Sequence, residues 1–239
     1  IDSPPPADVR LDAFRHAVLA PNPHNRQPWL IQLVGQDEAL IFCDLDRRLP
    51  ETDPFDRQIL IGFGCFLELA RVAAAERGVR MDIAAFPDGV PAERLDRRAI
   101  ARVRFVADPA TRPDPLFRFI PARRSSKQPF DMARPVEQRV LAALLDQRSA
   151  AAPVMGTSDA AMVAALRAAT WDAWMIELQT PRTWRETVNL MRIGKAEIDA
   201  SPDGVSIGGP FLEALALAGQ FSRDQSAQRV RRHQQLDQP

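Results

Sequence analysis

The stretch Ala20-Pro21-Asn22-Pro23-His24-Asn25-Arg26-Gln27-Pro28-Trp29 restricts this chain more than any other. Each of its three prolines fixes φ near about −65° and drives the residue before it toward extended geometry. The backbone cannot continue a helix there, and it has little freedom left to lose on binding. Asn25 and Gln27 present both donors and acceptors from this stiff frame, so the segment reads as a loop built to hold something. The plainer alternative is a helix-to-strand connection capped by Asn22, because proline and asparagine are ordinary loop residues.

With 239 residues, 46% of them hydrophobic, the chain can bury one large core or two modest ones. Its 31 basic and 31 acidic residues cancel, so the overall balance carries neither a nucleic-acid footprint nor attraction to an anionic membrane. No window is read as the run of about 18 apolar residues that spans a bilayer. Cys43 and Cys65 are too few for a zinc site, and the histidines at 16, 24 and 233 form no ligand cluster. There is no G-x-S-x-G turn and no tyrosine, which leaves the chain poor in nucleophile-and-base pairs. A bound cofactor carrying the reaction explains that poverty better. The chain opens at Ile1 rather than Met, which fits either a segment of a longer chain or a removed export signal, and leaves cytoplasm and periplasm both open.

Periodicity predicts a helix over 11–20 with Leu11, Phe14 and Val18 on one stripe, then a hairpin of strands 29–34 and 39–43 around Gly35-Gln36-Asp37-Glu38. Asp53 as N-cap and Pro54 at the first helical position open a helix that runs to Gly78 and is apolar almost all round between 59 and 75, the mark of a buried helix. Inside it, Gly62-Phe63-Gly64 lacks the third glycine, lysine and preceding strand of a phosphate loop and reads as close helix packing. Strands are expected at 79–86 and 100–106, and a proline-rich connector at 108–115 marks a boundary.

Beyond it, Arg123, Ser125 and Lys127 are spaced by two, so an extended segment points all three the same way, which suits an anion. A solvated basic loop is the bland alternative. Lys127 tips the balance, because only two of the 31 basic residues are lysines. Helices are expected at 136–146 and from Ser158 or Asp159 to Pro181, the second with Met162, Leu166, Trp171, Trp174 and Leu178 as core, followed by a short helix over 184–191. The glycine-rich stretch 194–210 reads as a lid or covering loop, and 211–221 as a last helix.

Two motifs together resemble the FMN-dependent nitroreductase superfamily. Arg123, Ser125 and Lys127, with Phe130 and Asp131, match its Arg-x-Ser-x-Arg/Lys segment; Pro21, Pro23, Asn25, Gln27, Pro28 and Trp29 match its Pro-Ser-x-x-Asn-x-Gln-Pro-Trp loop, with Asn22 in place of serine. The loop precedes the basic segment by about a hundred residues, an order similar to the Acg-like branch, in which two degenerate halves fuse into an internal pseudo-dimer. Further likeness covers 44–50 through the helix after Asp53, and Arg192 to Gly204.

The resemblance implies a bacterial flavoprotein of α+β class: a central mixed or antiparallel sheet flanked by helices, with one half at 1–107 and the other at 108–239. It implies FMN as cofactor, held by Arg123, Ser125 and Lys127 on one side and by Pro21, Asn22, Pro23, Asn25 and Gln27 on the other. NAD(P)H would be the electron donor and a quinone or nitroaromatic the acceptor, with homodimerisation through other surfaces left open. Two other classes stay in view: a non-catalytic flavin-binding or flavin-storage protein lidded by 194–210, and a helical interaction module without cofactor.

Overall fold

In the computed structural model, which describes residues 4–126, 128–131, 134–146 and 154–223, two compact units are resolved: residues up to Ser125 together with those from Arg182 onward, and Ser126–Pro181. The class is α+β. In the first unit Asp8 starts α1 (Val9–Ala17) by accepting the Arg10 backbone N–H at 2.9 Å, two residues earlier than the apolar stripe predicts. The stripe itself is half right. Phe14 is buried with Ala13 and Ala17, whereas Leu11 and Val18 are exposed, because the inward face also takes Arg10, Asp12 and His16.

The expected hairpin forms as β1 (Trp29–Val34) and β2 (Glu38–Cys43) around Gly35, whose φ of 53° serves the tight turn. Next comes α2 (Arg57–Glu76), which begins three residues later than Asp53-Pro54 implied, because Asp56 sits in the left-handed region at φ 55° and breaks the path. Asp53 still serves the helix from a distance, accepting the Ile59 N–H at 2.9 Å. Strands β3 (Val79–Ala85) and β4 (Ala101–Ala107) follow, and the four strands make one antiparallel sheet in the order β1-β2-β4-β3.

Along β4 the period-two pattern is plain: Ala101, Val103 and Phe105 point into the core, while Arg102 and Arg104 face solvent and pair with Glu38 and Asp37. The core lies between the sheet and α1 and α2, with Phe14, Ile41, Ile59, Phe63, Phe66 and Val103 at its centre. By length and composition α2 is also the one helix among the described residues long and apolar enough to cross a membrane, which corrects the expectation that no window comes near. Ile59, Phe63, Phe66, Ala70 and Ala73 of that helix are buried in the core, and this packing accounts for its apolarity.

The second unit holds α3 (Gln138–Leu145) and α4 (Ala160–Gln179), whose N-cap is Asp159, the second of the two residues the sequence offered for that start, accepting the Met162 N–H at 2.8 Å. Its apolar residues do not form the expected core: Met162, Leu166, Trp171 and Trp174 are all half exposed or more. Chain returning to the first unit forms α5 (Pro181–Asn189), β5 (Met191–Ile193), α6 (Gly194–Ala200), β6 (Val205–Ile207) and α7 (Pro210–Leu217). β5 and β6 pair in parallel. The stretch 194–210 is therefore a helix and a strand joined by a turn, not the irregular connection its glycines indicated.

Candidate functional site

The proline-rich loop is held in an unusual shape. Pro23–Asn25 forms a single tight turn, and His24, Asn25 and Gln27 all lie in the left-handed region, with φ of 47°, 51° and 48°. Non-glycine residues in that region cost free energy, and they persist where the surroundings over-determine them. Asn22 supplies part of that determination. Its Oδ1 accepts the Gln27 N–H at 2.8 Å and its Nδ2 donates to Ala20 O at 3.1 Å, so both ends of this side chain are used on the loop itself. Behind it Gly62 approaches so closely that a Cβ there would lie 3.1 Å from Asn22 Cβ. Trp29 closes the loop by stacking on Phe66 at 4.8 Å.

The turn between α6 and β6 clamps the other side. Asn25 Nδ2 donates to Pro202 O at 2.9 Å, Gln27 Nε2 donates to the same oxygen at 3.1 Å, and Gly204 N donates to Asn25 O at 3.2 Å. Asp203 then meets three guanidinium groups: Arg26 at 2.7 Å, Arg192 at 2.9 Å and Arg47 at 3.8 Å. Arg26, Arg192 and Asp203 keep only 13%, 15% and 16% of their side chains exposed, so these charges are weakly screened. Burial alone would raise the Asp203 carboxyl, but hydrogen bonds from Arg192 and Ser201 and the nearby arginine charges outweigh it and hold it below its ordinary value. Burial pushes Arg26 down, assisted by the charges of Arg47 and Arg192 and opposed by Asp203.

The second predicted motif comes to the root of the first. Arg123 Nη2 donates to Leu19 O at 2.9 Å, two residues before Pro21, while its buried Nε has no hydrogen-bond partner among the described residues. The buried indole Nε1 of Trp29 is likewise unpartnered among them. Ser125 is exposed at the end of the first unit, and Lys127 lies outside the described residues. Neither cysteine is in a disulfide, and burial, followed by the charge of Asp56, pushes the Cys43 thiol up to about 12, which removes it as a nucleophile.

Sequence reasoning passed over Arg26, Arg47 and Asp203 as site residues. Residues 26 and 203 are 177 positions apart, and nothing in the spacing of either links them.

No family model matches the chain. It is similar to curated proteins of Mycobacterium tuberculosis: 38% identical over 82 residues to one named "Putative NAD(P)H nitroreductase acg", and 31% identical over 126 residues to one named "Putative NAD(P)H nitroreductase Rv3131". The first match covers 34% of this chain and 24% of that protein; the second covers 53% and 35%. The matched stretches thus span about a quarter and a third of those relatives.

Proposed function

We propose that this chain is an FMN-dependent oxidoreductase of the nitroreductase kind, from the branch in which two degenerate halves share one chain, and that it takes electrons from NAD(P)H and delivers them to a quinone or nitroaromatic. The observation that carries the reading is the junction of the two motifs: Arg123 is anchored at Leu19 O beside the proline-rich loop, with a buried Nε that no described residue uses. A buried, unpaired guanidinium N–H is costly unless an acceptor reaches it, and a phosphate oxygen is a fitting one. The names of the similar mycobacterial proteins support the same reaction class.

In this reading Arg123 gives a charge-assisted hydrogen bond and Ser125 a hydroxyl hydrogen bond to the FMN phosphate. By the family resemblance, Lys127 would serve the pyrimidine edge of the ring. Asn25 retains a second N–H and Gln27 its Oε1 beyond their bonds to Pro202, so each keeps one polar atom to offer from the loop. The stiff backbone at Pro21 and Pro23, braced by Asn22, presents those atoms at small entropic cost. When bound, the flavin supplies hydride-accepting chemistry that no side chain here provides.

FMN is expected to raise the melting temperature more than riboflavin does, since a ligand bound only to the native state stabilises it by RT ln(1 + [L]/Kd), roughly 2.7 kcal/mol at a hundredfold excess over Kd. Equal shifts would remove the phosphate role from Arg123 and Ser125. The clamp of the 202–204 turn on the loop favours a second reading, a protein that stores flavin without turning it over. NAD(P)H-dependent bleaching of the flavin absorbance separates the two: bleaching marks the oxidoreductase, and a bound but unreactive flavin marks the store.

A further inference from the structure

A cleft of about 380 Å³ opens beside the loop, with Arg26, Arg48, Arg182 and Arg185 in its wall and Glu51 and Glu186 as its acids. Its size falls at the lower end of small-molecule sites, roughly 300–1,000 Å³. The charges do not balance. Glu186 makes no ion pair among the described residues: it accepts from Thr52 N at 2.8 Å, Thr52 Oγ1 at 2.7 Å and Glu51 N at 3.2 Å, which makes it a brace for the segment after Leu49. Glu51 pairs with Arg182 at 3.0 Å. Arg26 shares Asp203 with two other arginines, and Arg48 shares the fully buried Asp56 with Arg94, each at 3.5 Å. Arg185 is exposed and belongs to no ion pair among the described residues.

A chain of zero net charge therefore concentrates cations at one concave place. Guanidinium groups in a fixed array suit oxyanions, which they bind through paired N–H donors. Arg26 is presented to the cleft from between residues in the left-handed region, a strained conformation of the sort kept at ligand sites.

We propose that this cleft binds a small polyanion of the phosphate class, with enough oxygens to engage more than one arginine at once, as inorganic pyrophosphate or a nucleoside diphosphate has. The proposal is independent of the flavin reading, because Arg123 and Ser125 are not in the wall of the cleft. Calorimetric titration of the full chain with inorganic pyrophosphate, in about 50 mM salt to limit screening, is expected to show one saturable site. The Arg182→Ala/Arg185→Ala double variant alters exposed side chains only, and should weaken that binding roughly tenfold or more, the loss expected from charge-assisted hydrogen bonds. Arg139→Gln, an exposed arginine of the second unit, should bind as the parent does. Tighter binding of ADP than of pyrophosphate would identify a nucleotide as the source of the phosphates, and equal binding the phosphates alone. Absence of saturable pyrophosphate binding, or affinity unchanged in the double variant with its melting temperature intact, overturns the proposal. So does displacement of pyrophosphate by FMN or its loss in Arg123→Ala, either of which would make the cleft part of the flavin site. Failure of FMN to bind at all, with pyrophosphate still bound, would sink the flavin reading alone.

Discussion

Asp203 is one carboxylate facing Arg26, Arg47 and Arg192, so its removal leaves like charges packed together with little water to screen them. Breaking a buried pair from one side costs about 3 kcal/mol, and Asp203→Ala is expected to lower unfolding stability by an amount of that order in denaturant titration. Asp203→Asn should cost less, because the amide oxygen still accepts from Arg192 while the charge is gone. The same carboxyl predicts an acid effect. Its folded pKa is held below the ordinary value of 3.8, so its contribution is present in full above that value and is lost as pH falls through it toward the lower folded one. Parent stability should therefore converge on that of Asp203→Asn as pH drops below about 4. A constant gap between the two across that window would assign Asp203 no electrostatic role.

Within α2 the glycine pair reads as close packing, and the structure assigns that role to one of the two. A Cβ on Gly62 would meet Asn22 Cβ at 3.1 Å and Pro21 O at 3.5 Å, whereas a Cβ on Gly64 meets nothing within 4 Å. Replacing a helical glycine by alanine gains up to about 1 kcal/mol where space allows, so Gly64→Ala should stabilise by about that much. At Gly62 the loop must shift to admit a methyl, which offsets the gain, and Gly62→Val should cost about 1–3 kcal/mol by overpacking. Equal responses of the two sites in thermal melts would separate Gly62 from the loop. In α4 the contrast lies between composition and burial: Trp171 and Trp174, with rings 5.2 Å apart, are 60% and 50% exposed. Trp171→Phe/Trp174→Phe is expected to remove most of the acrylamide-quenchable fluorescence, because of the two tryptophans that remain Trp29 stacks on Phe66 against the core cluster and Trp184 is half-buried. Strong quenching that survives the double substitution would count against the exposed helix.

At the scale of the molecule, the hydrogen bond from Arg123 to Leu19 brings residues 104 positions apart to one place inside one chain. If the loop and the basic segment complete one flavin site per chain, Asn25→Ala and Arg123→Ala chains, each impaired in FMN binding, should stay impaired after mixing and joint refolding. A site exchanged between two chains would instead regain up to one intact copy per mixed dimer. Recovered binding after mixing would defeat the fused pseudo-dimer reading and leave the nitroreductase likeness standing.

Several features of this protein are legible in residue order because their causes are local. Short apolar and β-branched runs bounded by turn residues, Gly35-Gln36-Asp37-Glu38 among them, place all four strands within a residue or so. The all-apolar middle of α2 announces a buried helix, and the Ser158-Asp159 pair announces the start of α4. Tertiary structure decided the rest. The start of α2 depends on a left-handed Asp56 that is buried and tied to Leu95 N, Arg48 and Arg94, contacts that no local pattern encodes. Apolar composition predicts that α4 can be buried, yet burial requires a partner surface, and none among the described residues of its unit covers it. The Asp203 clamp and the arginine cleft join segments far apart in sequence, where only the folded path of the chain sets which charges meet.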